Sequence, residues 1–201
     1  MREMRMSMER LGTFSDAVMA VIITIMVLEL KAPEEPTFAA LVPLWHTLIS
    51  YAVSYLFIAI IWINHHYLLR FVDRATPALI WVNFIHLFGV SLLPFATAWM
   101  ARTQLSAVPV TVYAAIFVFV NLAYLAFLRE VLSQADIAEF PVHARRMAKR
   151  RSLGTLVIFT CAMLTAFFVP FLGFGLICGA LFFYIRPEAP GSGIKQGLAR
   201  N

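Results

Sequence analysis

The chain has 201 residues, of which 61% are hydrophobic and only 13% charged, and its mean hydropathy is +0.81. This apolar fraction exceeds that of a soluble globular domain and matches an integral membrane protein. A net charge of +5 and a pI near 9.6 would suit a nucleic-acid binder, but the basic residues crowd between and beyond apolar runs, so membrane topology explains them and no nucleic-acid partner is expected.

The first apolar run is also the most informative. Residues 11–30 number twenty, enough at the helical rise to span about 30 Å, and from Ala17 to Leu28 the only polar side chain is Thr24. The basic opening before this run resembles a secretory signal, yet Asp16 interrupts it early and no small-residue cleavage site follows, so it reads as a retained first span. A carboxylate there costs a few kcal/mol unless it has a partner or water. Arg10 lies six residues earlier, a rotation of about 240° on a helix, so the pair does not close within the span. Asp16 must look to other spans, to water or to another subunit.

A polar, Pro-bearing loop follows Leu30, and a second run covers residues 44–69, with Trp45 as an interfacial anchor at its head and Asn64, His65 and His66 near its end. Pro77 suits the first turn of a third run, 77–100, which carries Asn83 and His86 early and Pro94 late, where a kink is expected. A fourth run covers 110–128. Residues 129–151 then hold six basic and three acidic side chains, with Arg145, Arg146, Lys149, Arg150 and Arg151 gathered ahead of the next run, a pattern that favours anionic lipid. The final apolar stretch is broken by Pro170 and nearby glycines into two short spans, 153–169 and 171–185, and residues 186–201 read as a disordered tail. Cys161 and Cys178 sit inside apolar runs and read as small buried hydrophobes, not as a disulfide or metal ligands.

The expected fold is therefore all-α: one polytopic domain, residues 1–185, with six transmembrane helices, the first over 9–30. With both termini cytoplasmic, fourteen of the sixteen Lys and Arg residues fall inside and only Lys31 and Arg102 outside, which is the positive-inside asymmetry. A multi-pass protein of the cell membrane follows.

That orientation gives each intramembrane polar residue a depth. Asp16 lies six residues beyond Arg10, Asn64 six before Arg70 and Asn83 nine after Arg74, so all sit about 9 to 14 Å from the inner ends of their spans. Ser15 and Asp16 are expected to hydrogen-bond with some of Asn64, His65, His66, Asn83 and His86. The competing reading places Asn64 to His66 in the headgroup region and leaves Asn83 and His86, three apart on one face, to bond to nearby backbone. His65 and His66 are adjacent and point about 100° apart, which is poor metal-ligand spacing. No nucleophile elbow, His-Glu-x-x-His or phosphate-binding glycine loop is present, so the chain does not read as an enzyme.

Arg10 and Phe14-Ser15-Asp16, spaced as Arg-x-x-x-Phe-Ser-Asp, resemble the signature of the transmembrane protein 175 family of potassium channels, and Trp62-Ile-Asn-His-His-Tyr-Leu and Ser91-Leu-Leu-Pro-Phe-Ala-Thr97 look like family segments. The resemblance implies a homotetramer, with no cofactor and no metal beyond permeating potassium ions. It also implies that span one of each subunit lines a central pore, its signature braced against neighbouring spans near the inner side. It further implies a constriction at Val21, with Thr24 or Ile25 and Leu28 as the next pore-facing positions. These follow i, i+3 or i+4, i+7 and share one helical face, which periodicity permits and does not prove. Valine is smaller than the isoleucine or leucine expected there, so either the ring is wider or a different residue is the bottleneck. Such an apolar throat would gate by excluding water. The Thr24 hydroxyl would either face the axis or bond back to the Ala20 carbonyl. The alternative function is a proton-coupled carrier or proton conductor using Asp16 and the histidines, and a third is a non-conducting membrane assembly protein.

Overall fold

The computed structural model describes residues 8–135 and 142–184. Among these, regular structure is entirely helical: α1 (Met8–Leu28), a 3-10 segment (Phe38–Leu44), α2 (Trp45–Leu69), α3 (Pro77–Ser91), α4 (Leu93–Arg102), α5 (Ala107–Gln134), α6 (Val142–Phe168) and α7 (Pro170–Tyr184). Five segments are long and apolar enough to cross a bilayer, with α3 and α4 counted as one; α7 is a shorter apolar helix. The chain is a multi-pass membrane protein. The expected N-terminal basic residues Arg2 and Arg5 and the tail 186–201 lie outside the described residues.

The third span is broken as its proline requires. Pro94 has no N–H to offer the carbonyl four residues back and its ring crowds that turn, so the break falls at Leu92 and the proline sits in the first turn of a new helix, α4. Three hydroxyls hold the broken segment. Thr97 donates to the Leu93 carbonyl at 2.7 Å, so it can only accept from Ser54 at 2.7 Å, and Ser54 in turn accepts from Tyr113 at 2.6 Å. The chain from Tyr113 through Ser54 and Thr97 ties α5 and α2 to the start of α4 with every donor used.

Apolar packing centres on α5. Phe117 stands between Phe57 of α2 and Phe159 of α6, with ring centroids 4.5 and 4.9 Å away, within the range where aromatic pairs attract beyond simple area burial. The last two helices form a hairpin whose closeness depends on Gly173. A Cβ there would lie 2.5 Å from the Cβ and 2.6 Å from the Cα of Ala166, and neither atom can rotate away. Gly173→Ala is therefore expected to lower stability by about 1 to 2 kcal/mol by forcing α6 and α7 apart, read as a lower denaturation midpoint of the purified protein in detergent; an unchanged midpoint would mean the hairpin does not need this contact.

Two boundaries differ from expectation: α5 runs on to Gln134 and α6 begins at Val142. The basic segment before the fifth span is not a loop, because α6 begins at Val142 and carries all five basic residues on its opening turns; Arg, Lys and Ala are good helix formers even where apolar periodicity is missing. Arg145 is also withdrawn from the lipid-facing set. Its guanidinium donates to the carbonyls of Leu132 at 3.1 Å and Ala135 at 2.9 Å, capping α5, where cations suit the helix dipole. Cys161 is exposed and only Cys178 is partly buried, and both are free thiols.

Candidate functional site

Along α1 the buried residues are Leu11, Ser15, Met19, Ile22 and Met26, spaced four, four, three and four apart, so they form one stripe that packs on α2, α3 and α4. The other side of the helix carries Phe14, Val21, Thr24, Ile25 and Leu28. Val21 is 55%, Ile25 44% and Leu28 80% exposed, a contiguous aliphatic surface only partly covered by the other described residues. An apolar groove of about 840 Å3 runs beside it, between α1 and α4, past Val18, Phe95 and Trp99. The Thr24 hydroxyl donates to the Val21 carbonyl at 2.8 Å, not to Ala20 as the backbone alternative had it. That bond uses the proton and leaves the oxygen lone pairs free.

The signature lies at the N-terminal half of the same helix. Ser15 donates to the Leu11 carbonyl at 2.9 Å, so it accepts from the Asn83 amide at 3.0 Å. The Asn83 carbonyl oxygen accepts in turn from Nε2 of His65 at 2.6 Å, which assigns the proton of the neutral ring to that nitrogen. A directed chain from α2 through α3 to α1 results, and all three side chains are fully buried.

Asp16 stands beside this chain rather than in it. The Trp62 indole N–H donates to its Oδ1 at 2.7 Å, and Nδ1 of His66 is 3.9 Å from Oδ2. Phe14 packs on Phe84 of α3, centroids 5.4 Å apart. His86 joins by stacking: its ring is parallel to those of His65 and Phe127. Asn64 is apart from the others, lining a small cavity with Asn121, Tyr124 and Phe159, which His86 also borders. Arg10 is exposed on the first turns of α1, lining a shallow depression with Glu9, Thr13 and Phe14.

Of the polar residues matched by depth, the structure thus joins Ser15, Asn83 and His65 in one network, Asp16 and His66 in a second beside it, and leaves Asn64 elsewhere. Three consecutive helical residues point in three directions about 100° apart, so residues 64 to 66 cannot all serve one site. Trp62, the partner of Asp16, is not among the residues expected to meet it. Its signal was present, since Trp62 and His66 are four apart and share a helical face. A second polar tie also went unread: Ser152 of α6 donates to Asn121 of α5 at 3.0 Å. Among the described residues no group of three or more His, Cys, Asp or Glu is placed to hold a metal ion.

Comparison with known proteins places the chain in a family. A family model described as "Endosomal/lysosomal potassium channel TMEM175" matches residues 10–94, the stretch that holds the signature and both networks on α1 to α3. A potassium channel of Chryseobacterium sp. (strain P1-3) is 31% identical over 196 residues, 98% of this chain and 100% of the relative. A potassium channel of Streptomyces collinus is 34% identical over 125 residues, 58% of this chain and 61% of the relative. The crystal structure of a lysosomal potassium-selective channel TMEM175 homolog from Chamaesiphon minutus superposes with a TM-score of 0.79 at 26% identity, covering 90% of this chain and 98% of that one. With nearly its whole length aligned to one such relative and its signature stretch matched by the family model, this chain belongs to the TMEM175 family of potassium channels, proteins of ion transport and not enzymes.

Proposed function

We propose that the chain forms a homotetramer that conducts potassium ions through a central pore lined by α1 of each subunit. The uncovered aliphatic stripe of α1 carries this reading, since a helix that packs on its own bundle through one face and leaves Val21, Ile25 and Leu28 bare on the other has a surface to share around an axis. In the closed state, rings of Val21 and Leu28 expel water and block ions. Six spans in one domain, residues 1–185, place both termini in the cytoplasm, supported by the charge asymmetry. Arg146, Lys149, Arg150 and Arg151, exposed on α6, then face the anionic headgroups of the inner leaflet. The polar networks of Ser15 and Asp16 brace α1 from behind, at the inner end of the pore. Family membership favours this reading over a proton relay.

Purified protein in planar bilayers tests it: single-channel currents at fixed pH that follow the potassium gradient support the channel, whereas flux that tracks only pH would replace it with the proton conductor. In the pore the Thr24 oxygen replaces part of the hydration shell of a passing cation. One net hydrogen-bond-sized interaction, about 0.5 to 1.5 kcal/mol, corresponds to about two- to tenfold in selectivity. Thr24→Val is expected to lower the potassium-over-sodium permeability ratio by that factor, measured as a shift of reversal potential; unchanged reversal would remove Thr24 from the filter.

A further inference from the structure

The exposed stripe of α1 does not stop at its last apolar residue. Glu29 follows Ile25 by four residues and Val21 by eight, so it continues the same face about 6 Å farther along the axis. Nη2 of Arg102, the last residue of α4, sits 2.5 Å from Oε2 of Glu29. Both side chains are exposed. They form the wall between two clefts, the apolar groove beside Ile25 and Trp99 and a second of about 410 Å3 reached by Lys31, Tyr51 and Thr97. The carboxylate also lies just beyond the C-terminal end of α1, where the helix contributes negative partial charge of its own, and the last turn of α1 contains no basic residue to offset it.

We propose that this pair sets the electrostatic field at the outer mouth of the pore: Glu29 concentrates cations there, and Arg102 of the same subunit limits that attraction. The inference rests on the reading that α1 lines the pore. An exposed ion pair contributes little to folding, so the arrangement matters more for passing cations than for stability. A pore mouth focuses field lines, and a ring of carboxylates around it raises the local cation concentration. Pairing each carboxylate with a guanidinium cancels most of that ring, leaving Lys31, Glu34 and Glu35 of the following loop as the other charges near this end. Arg102 is one of only two basic residues assigned to the outer side, and it stands where it neutralises the carboxylate nearest the stripe.

The test uses the full-length channel in bilayers, reading inward unitary potassium current in 10 mM and in 1 M KCl. Charges reach about 30 Å through the first solution and about 3 Å through the second. Arg102→Gln is expected to raise the unitary current about twofold or more at 10 mM and to match wild type at 1 M. Glu29→Gln, which leaves the guanidinium alone at the mouth, is expected to lower it at 10 mM. The double variant returns towards wild type, and Arg102→Lys, which keeps the charge, behaves as wild type. Because the two single variants move the current in opposite directions, either one decides the matter if the other fails to assemble. Unitary currents equal to wild type at 10 mM, or a change confined to open probability, would overturn the proposal and make the pair a mechanical tether. Leu28→Ala serves as the control for the underlying reading: if it alters current while the charge variants do not, the lined pore stands without this pair, and if all are silent the pore assignment itself falls.

Discussion

Leu28→Ala channels are expected to leak, with basal potassium current at least about tenfold above wild type, and Val21→Ala channels to leak less. The magnitude follows from what keeps an apolar neck dry. Truncating leucine to alanine removes three carbons per subunit, twelve around a fourfold axis, and each buried methylene-sized group is worth about 0.8 kcal/mol. The dry state thus loses up to about 10 kcal/mol of apolar surface. A tenfold change in the wet-to-dry ratio requires only about 1.4 kcal/mol, so the ring can transmit a small fraction of that loss and still fail as a gate. Valine to alanine removes two carbons per subunit, and on carbon count alone its effect is smaller.

The ranking also identifies the narrowest ring. Leu28 is the more exposed of the two in the single subunit, 80% against 55%, and its longer side chain reaches farther from the helix. If Val21→Ala proves the leakier channel, the constriction lies at Val21 despite its smaller side chain. Equal, wild-type currents from both variants, recorded in the same bilayers, would show that this face packs against protein or lipid and lines nothing.

How much of this was legible beforehand varies by the kind of signal. The exposed face of α1 comes from the family resemblance, and periodicity only permits it, since Val21, Thr24 or Ile25 and Leu28 share one helical side. The break at Leu92 follows from Pro94, since the lost donor and the ring clash both act on the preceding turn. Depth matching puts Asp16, Asn64 and Asn83 at one level, because helical rise is regular and the charged ends of spans fix their position, yet of these only Asn83 enters the buried chain with Ser15 and His65. Azimuth is harder. Residues 64 to 66 share a depth but diverge by rotation, and the sequence alone does not say which of three directions faces α3. Trp62 is hidden for a related reason: only the placement of α1 beside α2 turns its indole toward Asp16. The opening turns of α6 were hidden because charge density masks helix periodicity while leaving helix propensity intact.

Replacing Asn83 should do more damage than replacing either neighbour, because it is the middle link of the chain from His65 to Ser15. Its carbonyl oxygen and amide nitrogen are both committed, to rings and hydroxyls on two other helices. Asn83→Leu keeps the side-chain size and removes both bonds at once, leaving the His65 Nε2 proton with no acceptor in a fully buried site. Losing the bonds and stranding that donor together are expected to cost about 3 kcal/mol, read as a lower midpoint when the purified channel is titrated with SDS. Ser15→Ala removes one acceptor and leaves the His65–Asn83 bond intact, so its cost should stay near 1 kcal/mol. A triple replacement, Ser15→Ala with His65→Phe and Asn83→Leu, separates hydrogen bonding from packing: with every polar member gone no donor is stranded, and much of the lost stability should return. An Asn83→Leu channel that denatures with wild type would show that α1 is held by its apolar stripe of Leu11, Met19, Ile22 and Met26 alone, and that the polar chain behind it bears no load.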